Sequence, residues 1–441
     1  MARFPLGRRA ALLVALALAA CSNADAPLPG QRIPVRPEEA PLAQTDAAAV
    51  RPVGIPAPAL NADWTHRNGA AGGRLVNPAF SAAPQLRWSV NIGEGDAKRR
   101  RILTGPIVAG GLVYTIDAAG QLSAVTRSGQ IAWTQSLVPP EQAGDSGPGG
   151  GFSYAGGVLY VTTGFGEVRA LDPATGRILW SKAFEGPIRA APTVADGRVF
   201  VVTRNDVAFA LDARSGQILW QAQGVGGVGL LGGASPAVDG QLAVIPFASG
   251  EVLGLVARSG LQVWGTAITG GRRGLVRSGI SDISGDPVID GDTVYASNQG
   301  GRTVSLDRAT GERRWTMGEG AYGPAWPVGG SLFLMSDEGA LVRADAATGR
   351  LIWTTQLPSD GPPSGIFRRG PPVAVIAHYG PVLAGGRLWV AGGDGLLRAF
   401  DPSTGAPLGS VALPGGAGAP PAVAGGVMYV VNRDGQLLAF Q

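Results

Sequence analysis

Hydrophobic and polar residues alternate along most of the chain in short segments that end at turn residues. In Val168-Arg-Ala-Leu-Asp-Pro-Ala-Thr-Gly-Arg-Ile-Leu-Trp180, residues 168–172 alternate as in a strand with two different faces. Asp172, Pro173 and Gly176 then supply the turn, because Asp bonds turn amides, Pro presets φ and Gly accepts φ > 0. A second apolar segment follows and ends at Trp180. The pattern predicts two strands joined by a tight turn.

This pattern repeats along the chain, with a glycine four residues before a tryptophan. The copies end at Gly129/Trp133, Gly176/Trp180, Gly216/Trp220, Gly260/Trp264, Gly311/Trp315 and Gly349/Trp353, and a degenerate copy ends at Gly405/Gly409. The mean period is about 46 residues, which is typical of a four-stranded propeller blade. The tryptophans are expected to pack their large faces between adjacent blades.

A second predicted hairpin precedes each copy and brings the number of strands per repeat to four. It is clearest from Ala191 to Thr203, where Asp196-Gly197 marks the turn. Most of these hairpins open on a proline, namely Pro106, Pro192, Pro236, Pro287, Pro324, Pro381 and Pro421. Blade two, which opens at 152–157, has no such proline. The sequence therefore predicts an all-β protein, an eight-bladed β-propeller of four-stranded antiparallel blades.

The two ends of the repeat region indicate how the ring closes. The last repeat stops at Leu437-Leu-Ala-Phe-Gln441, one strand short of its turn and tryptophan. The segment Pro84–Val90 carries Trp88 just before blade one, outside any copy of the repeat. We expect this N-terminal strand to complete blade eight, because closure removes exposed sheet edges.

The first residues have the pattern of a bacterial lipoprotein signal. Arg3, Arg8 and Arg9 precede an apolar segment at 10–20 that is too short to span a bilayer, so residues 1–20 are predicted to be a signal peptide. Cys21 follows Leu-Ala-Ala and is the predicted lipidation site, the alternative being a lone structural cysteine. Residues 21–59 are rich in Ala and Pro and are predicted to be a disordered tether, and 60–441 the propeller.

Charge and candidate chemistry exclude several functions. The chain has 36 Lys and Arg against 32 Asp and Glu, so the mature chain without its three signal arginines is near +1 and gives little support for nucleic-acid binding. The only histidines, His66 and His378, form no pattern typical of a metal site or a catalytic base. We therefore expect no catalytic residues, no cofactor and no metal.

Two loops depart from the repeat pattern, and irregular loops on a regular scaffold are common functional sites. They are 94–102, before blade one, and 269–286, between blades four and five. Leu275, Val276 and Ile283 lie among arginines in the second loop, which favours a contact surface over a solvated basic loop.

The repeats resemble the quinoprotein-like propeller repeat. Together with the lipobox, the tether and eight blades, the chain is similar to the outer-membrane protein assembly factor BamB family. That resemblance implies a non-enzymatic outer-membrane lipoprotein on the periplasmic face, a scaffold subunit of the β-barrel assembly machinery that assists outer-membrane protein folding and insertion. The implied partners are the periplasmic domains of BamA, other subunits of the machinery and unfolded outer-membrane proteins.

In that family the loops flanking blade four bind BamA. A family Leu-Arg-Gly stretch falls on residues 230–232, where Leu231 replaces the arginine, and an Asp-hydrophobic-Asp stretch falls on 282–284, where Ser284 replaces the second acid. The arginines nearby could supply charge. The predicted partner-binding residues are Leu230, Leu231, Arg272, Arg273, Arg277 and Asp282.

Two alternatives remain at this point. One is a pyrroloquinoline-quinone-dependent dehydrogenase, a class that resembles this chain in its repeat but typically carries adjacent cysteines and a calcium site. The chain has a single cysteine, which disfavours that chemistry. The other is a periplasmic binding or scaffold lipoprotein with a different partner.

Overall fold

The computed structural model describes residues 50–73, 75–142, 150–188, 190–226, 233–272, 282–359 and 376–441. This part of the chain folds into eight sheets, each of four antiparallel strands. The predicted all-β, eight-bladed propeller is therefore confirmed. A short 3-10 helix at Pro140–Gln142 follows blade one.

The strands of blade one are Ile107–Ala109, Leu112–Ile116, Gln121–Thr126 and Ile131–Ser136. Those of blade two are Gly150–Ala155, Val158–Thr163, Glu167–Leu171 and Ile178–Ala183. Blade three has Thr193–Ala195, Arg198–Val202, Val207–Asp212 and Ile218–Gln223. Blade four has Ala237–Asp239, Leu242–Pro246, Glu251–Val256 and Gln262–Ala267.

Blade five consists of Ile283–Asp290, Thr293–Asn298, Arg302–Asp307 and Arg313–Met317. Blade six consists of Trp326–Val328, Ser331–Met335, Ala340–Asp345 and Leu351–Gln356. Blade seven is formed by His378–Ala384, Arg387–Gly392, Leu396–Phe400 and Pro407–Ala412. Blade eight is formed by Ala422–Ala424, Val427–Val431, Gln436–Phe440 and the N-terminal strand Leu86–Asn91.

The first strand of each blade is innermost and the fourth is outermost. First strands of neighbouring blades contact one another around the centre, whereas outer strands such as Ile131–Ser136 have mostly exposed residues. We call one side of the ring the turn face; it carries the turns between strands one and two and between strands three and four, in blade one residues 110–111 and 127–130. The opposite connection face carries the turns between strands two and three and the connections between blades, such as 117–120 and 92–106.

The ring closes as the sequence predicts. Leu86–Asn91 pairs antiparallel with Gln436–Phe440, and Trp88 lies opposite Ala439. Gln85 and Gln441 extend this ladder with two backbone hydrogen bonds of 2.9 and 3.0 Å. The last strand of the chain therefore has a partner on each side.

The prediction for the repeated tryptophans is also confirmed. The indole N–H of each outer-strand tryptophan donates a hydrogen bond of 2.9–3.3 Å to a carbonyl in the next blade's turn; the pairs are Trp88/Arg127, Trp133/Pro173, Trp180/Ala213, Trp220/Ala257, Trp264/Arg308, Trp315/Ala346 and Trp353/Pro402. The ring lies against the turn glycine of that blade. At Gly216, for example, an added Cβ would come within 2.6 Å of the Trp180 ring. Each tryptophan thus fastens its blade to the next one.

A loop that the sequence pattern did not reveal closes the centre of the turn face. We call residues 59–78 the hub loop. Its two ends meet where Ala59 N donates to Asn77 O (3.0 Å) and Ala79 N donates to Ala59 O (2.8 Å). Just before it, Val53 N lies 3.3 Å from Ser403 Oγ of blade seven, so residues 50–56 also lie on the turn face.

The hub loop contacts all eight blades. Its partners in blades one to eight are in turn Val108, Tyr154, Val194, Val238, Ile289, Trp326, Gly385 and Gly425. All but one of these contacts are hydrogen bonds, and the exception is the stacking of Trp64 on Trp326, with ring centroids 6.4 Å apart. A single segment therefore joins the inner parts of the whole ring.

Candidate partner-binding site

The structure describes two of the predicted site residues, Arg272 and Asp282. The others, Leu230, Leu231, Arg273, Arg277 and the predicted lipidation site Cys21, lie outside the described residues. Strand order places the two connections that flank blade four on the connection face, because each one joins an outer strand to the next inner strand. The described ends of these connections therefore define the candidate site.

Arg272 lies near the start of the four-to-five connection and forms ion pairs within the chain. Its guanidinium Nη2 lies 2.6 Å from Glu319 Oε2 and 3.1 Å from Asp337 Oδ1, and its Nε lies 3.2 Å from Glu338 Oε1. Its backbone N donates to Gly300 O at 2.9 Å. The side chain is 16% exposed, so it mainly fixes the connection to blades five and six.

Burial and charge act in opposite directions on this cluster. Burial lowers the pKa of Arg272. Its hydrogen bond to Asp337 and the charges of Glu319 and Asp337 raise that pKa by a larger amount, so the net shift is upward. Burial raises the pKa of Glu319, although Arg272 opposes the shift. Arg272 therefore stays charged and compensates carboxylates that are partly withdrawn from water.

Asp282 immediately precedes the first strand of blade five and is 2% exposed. The next two residues are buried as well, and Ser284 Oγ donates to Ala321 O at 2.7 Å. The side chain of Asp282 thus belongs to the interior side of the connection. Its predicted role in partner binding stays a prediction, and such a role would act through the position of the loop.

Two exposed apolar residues on the same face were missed by the sequence analysis. Val225 follows the outer strand of blade three and is 84% exposed, while its backbone N donates to Glu251 Oε2 of blade four at 3.0 Å. Tyr322, in the five-to-six connection, is 53% exposed. The signal for Val225 was an apolar residue within the glycine-rich stretch 224–229, where side chains have little to pack against.

The basic loop at 94–102 pairs with its own acids. Arg100 Nη1 lies 2.8 Å from Glu94 Oε2, and Arg101 Nη1 lies 3.1 Å from Asp96 Oδ2. Asp96 also accepts a hydrogen bond from Ile102 N at 2.8 Å. Ion pairs within the loop therefore neutralise much of its charge.

A cavity of about 780 Å³ lies at the centre of the ring, between the hub loop and blades six to eight. Its lining includes Trp64, Arg67, Tyr322, Trp326, Tyr379 and Val382. The tip of the hub loop is held beside it by Asp286, which accepts hydrogen bonds from Arg67 Nη1 (3.3 Å), Asn68 Nδ2 (2.5 Å) and Ser235 N (2.7 Å). The volume is within the usual range for small-molecule pockets, and the lining is mostly apolar.

The two histidines have structural contacts. His66 is buried in the hub loop, with Nε2 3.1 Å from Val194 O and Nδ1 2.9 Å from Thr65 Oγ1. Burial lowers the pKa of His66 to about 4. His378 Nε2 lies 2.8 Å from Pro358 O.

Among the residues that the structure describes, no three His, Cys, Asp or Glu side chains are grouped to hold a metal ion. No helix in this part of the chain is long and apolar enough to cross a membrane.

Comparison of the fold with solved structures finds both a family member and enzymes. BamB from Moraxella catarrhalis superposes with a TM-score of 0.65 at 21% identity, over 81% of this chain and 100% of that one. A europium-containing methanol dehydrogenase reaches a TM-score of 0.65 at 17% identity, over 84% of this chain and 89% of the enzyme. At these identities the likeness shows only the shared propeller fold.

Sequence comparison distinguishes the BamB proteins from the dehydrogenases. The BamB of Xanthomonas campestris pv. campestris is 30% identical over 80% of this chain and 85% of its own length. That of Shewanella oneidensis is 26% identical over 80% and 88%. A family model described as outer membrane protein assembly factor BamB matches residues 118–355 and 368–441, and the chain therefore belongs to the family of outer membrane protein assembly factors named BamB.

Proposed function

We propose that this chain is a non-enzymatic, lipid-anchored scaffold subunit of the β-barrel assembly machinery. In this role it binds the periplasmic domains of BamA on the connection face beside blade four and assists the folding and insertion of outer-membrane proteins. Family membership is the observation that carries the proposal, because the matched relatives are named as assembly factors.

The surface beside blade four supports the location of the interface. An interface needs an apolar centre with polar groups around it. Val225 provides an apolar side chain that is 84% exposed, and Glu251 lies next to its backbone. The predicted residues Leu230, Leu231, Arg273 and Arg277 belong to the same two connections and complete the proposed surface, whereas the buried Asp282 acts through the position of the loop.

Arg272 supports the interface indirectly. Its ion pairs to Glu319 and Asp337 hold the first part of the four-to-five connection in one place. A loop that is held before binding loses less conformational freedom when a partner docks. We therefore assign Arg272 to positioning of the surface.

The anchor is proposed at Cys21, with the propeller in the periplasm. Several acyl chains on one cysteine would hold the protein stably at the membrane. Mass spectrometry of the mature chain tests this. Acyl mass on an N-terminal Cys21 is expected, and a mature chain that keeps residues before Cys21 would contradict it.

Co-purification tests the proposed partner. Full-length protein is solubilised from membranes in mild detergent and captured by a C-terminal tag. BamA and other subunits of the assembly machinery are expected in the eluate and are identified by mass spectrometry. Capture without BamA from membranes that contain it would contradict the proposal and favour a scaffold for another partner.

A quinone-dependent dehydrogenase is the second candidate, favoured by the central cavity and by the shared fold of the methanol dehydrogenase. The single cysteine of the chain disfavours it, since no adjacent pair exists. The test is reconstitution with pyrroloquinoline quinone and calcium. We expect neither bound quinone absorbance nor dye reduction by an alcohol, and the appearance of both would replace the scaffold proposal.

A further inference from the structure

One of the eight interfaces between neighbouring blades is built differently from the rest. Seven hold an outer-strand tryptophan that bonds the next blade's turn, but in blade seven Gly409 occupies that position. Blade eight also has no turn to receive a tryptophan there, because its outer strand Leu86–Asn91 comes from the other end of the chain. Both halves of the usual fastening are therefore missing from the seam between blades seven and eight.

A second segment crosses this seam instead. We call residues 76–85 the strap; its first three residues are also the last three of the hub loop. It bonds the first turn of blade seven, where Pro78 O accepts from Gly385 N (2.8 Å) and Ala82 O accepts from Arg387 Nη1 (3.0 Å). At its other end it pairs with Gln441 and continues into the outer strand of blade eight.

Phe80 of the strap contacts Trp389 in the way that the outer tryptophans contact their own blades. In six blades the outer tryptophan packs on an aromatic residue of the second strand at 5.9–6.1 Å between ring centroids; these residues are Tyr114, Tyr160, Phe200, Tyr295, Phe333 and Tyr429. Trp389 holds this position in blade seven, and the ring of Phe80 meets it edge to face at 5.1 Å. Phe80 is 9% exposed, so a buried aromatic ring covers the second strand of blade seven where an outer tryptophan covers it in those six blades.

The seam forms part of the wall of the central cavity. Val382 of blade seven and Pro420 and Pro421, which precede the first strand of blade eight, line the cavity from opposite sides of the seam. Val382 lies opposite Trp389 in the blade-seven sheet. Movement of Trp389 away from blade eight would therefore carry the cavity wall with it.

We propose that the strap, fastened by Phe80, is a conformational device that holds this seam closed and sets the width of the central cavity. At the other seven interfaces the fastening residue belongs to a blade's own sheet and can leave only if that sheet is disturbed. Phe80 lies outside any strand. It can detach without breaking a ladder hydrogen bond, so the ring opens first between blades seven and eight.

Hydrogen–deuterium exchange of the full-length chain tests this proposal. In Phe80→Ala, amides in peptides covering 378–392 and 419–432 are expected to exchange on the order of tenfold faster, which corresponds to the loss of one aromatic pair. Peptides from blades three and four are expected to exchange at the wild-type rate. The matched control is Phe184→Ala, which removes the Phe184–Phe209 pair (4.7 Å) on the other side of the ring and leaves the seam unchanged.

Phe80→Leu keeps most of the apolar volume and serves as a second variant if Phe80→Ala lowers global stability. It is expected to give a smaller acceleration that is still confined to blades seven and eight. Faster exchange spread evenly over all blades, or wild-type exchange at the seam in both variants, would overturn the proposal.

Discussion

At the scale of single residues, two polar side chains, one buried and one partly buried, join parts of the ring that are distant in sequence. His66 joins the hub loop to blade three, and Arg272 joins the four-to-five connection to blades five and six. The sequence analysis gave the first no metal-binding or catalytic role, and it predicted the second as a partner contact. Sequence could not distinguish these roles, because a charge on a loop looks the same whether its partner is within the chain or outside it.

The buried His66 makes stability depend on pH. Its pKa of about 4 in the folded chain is below the value of 6.5 for a free histidine, so its contribution is fully present above pH 6.5 and is lost as the pH falls toward 4. Between pH 7 and pH 5 the loss is about 2 kcal/mol. Urea denaturation of wild type and His66→Gln at pH 7 and pH 5 measures this loss. It is the difference between the two proteins in how much stability each loses. Equal losses in wild type and variant would contradict the assignment.

Removal of Arg272 should strongly destabilise the fold. In Arg272→Ala the carboxylate of Asp337, whose side chain is fully buried, loses the ion pair and the hydrogen bonds that Arg272 supplies, and breaking a buried ion pair by removing one partner costs about 3–5 kcal/mol. Arg314→Ala is the matched control, because Arg314 pairs with the exposed carboxylate of Asp292 and the partly exposed one of Asp307. Denaturant midpoints are expected to fall far more for Arg272→Ala. Similar small changes in both variants would show that the buried cluster contributes little.

At the scale of elements, the repeat unit was predictable because period-2 alternation and turn residues act locally. The role of Gly216 shows how local sequence encodes a contact between blades. It has φ +70° and lies under the ring of Trp180. The hub loop could not be predicted in this way, since its contacts are single residues bonded to six different first strands and leave no periodic pattern.

Two glycine substitutions separate turn geometry from blade packing. Gly216 and Gly197 have nearly the same φ, +70° and +71°, but an added Cβ meets Trp180 at Gly216 and open space at Gly197. Both alanine variants carry the strain of positive φ, about 1 kcal/mol. Gly216→Ala should lose roughly 1–3 kcal/mol more through overpacking. Thermal denaturation compares them, and equal losses would mean that the tryptophan shifts freely.

At the scale of the whole molecule, ring closure was predictable from an unfinished last repeat and a tryptophan without a repeat. The strand Leu86–Asn91 completes the last repeat and contains the tryptophan, and its pairing with the last strand is confirmed. The degenerate Gly409 was visible in the sequence, but its reason was not. A tryptophan there would face a blade that has no turn between its third and fourth strands. That is known only once closure places the N-terminal strand in blade eight.

Deletion of the closing strand should cost more stability than deletion of the tether. Removal of residues 84–90 exposes the edge of Gln436–Phe440 and loses Trp88, which alone is worth about 3–5 kcal/mol. Removal of residues 22–49, the part of the predicted 21–59 tether that precedes the described residues, leaves every described contact in place. Denaturation midpoints of the two variants give the comparison. A tether deletion as costly as the strand deletion would contradict the closure account.

The candidate site was predictable only in part. Family resemblance indicated the connections that flank blade four, and the strand order puts both of them on one face. Burial separates Val225, at 84% exposure, from Asp282, at 2%. The glycine-rich stretch 224–229 signals the exposure of Val225, but no local pattern shows the burial of Asp282, because that depends on how its connection packs on its neighbours.

Affinity for the periplasmic domains of BamA tests the central claim most directly. Full-length wild type, Val225→Ser and Leu60→Ser are titrated with those domains, after circular dichroism confirms that all three are folded. Leu60 is the matched control, since it is 74% exposed but lies in the hub loop on the turn face. The account predicts that wild type and Leu60→Ser bind equally and that Val225→Ser binds on the order of tenfold more weakly. Two outcomes would contradict the account. One is unchanged binding by a Val225→Ser/Leu230→Ala double variant, and the other is no binding by wild type.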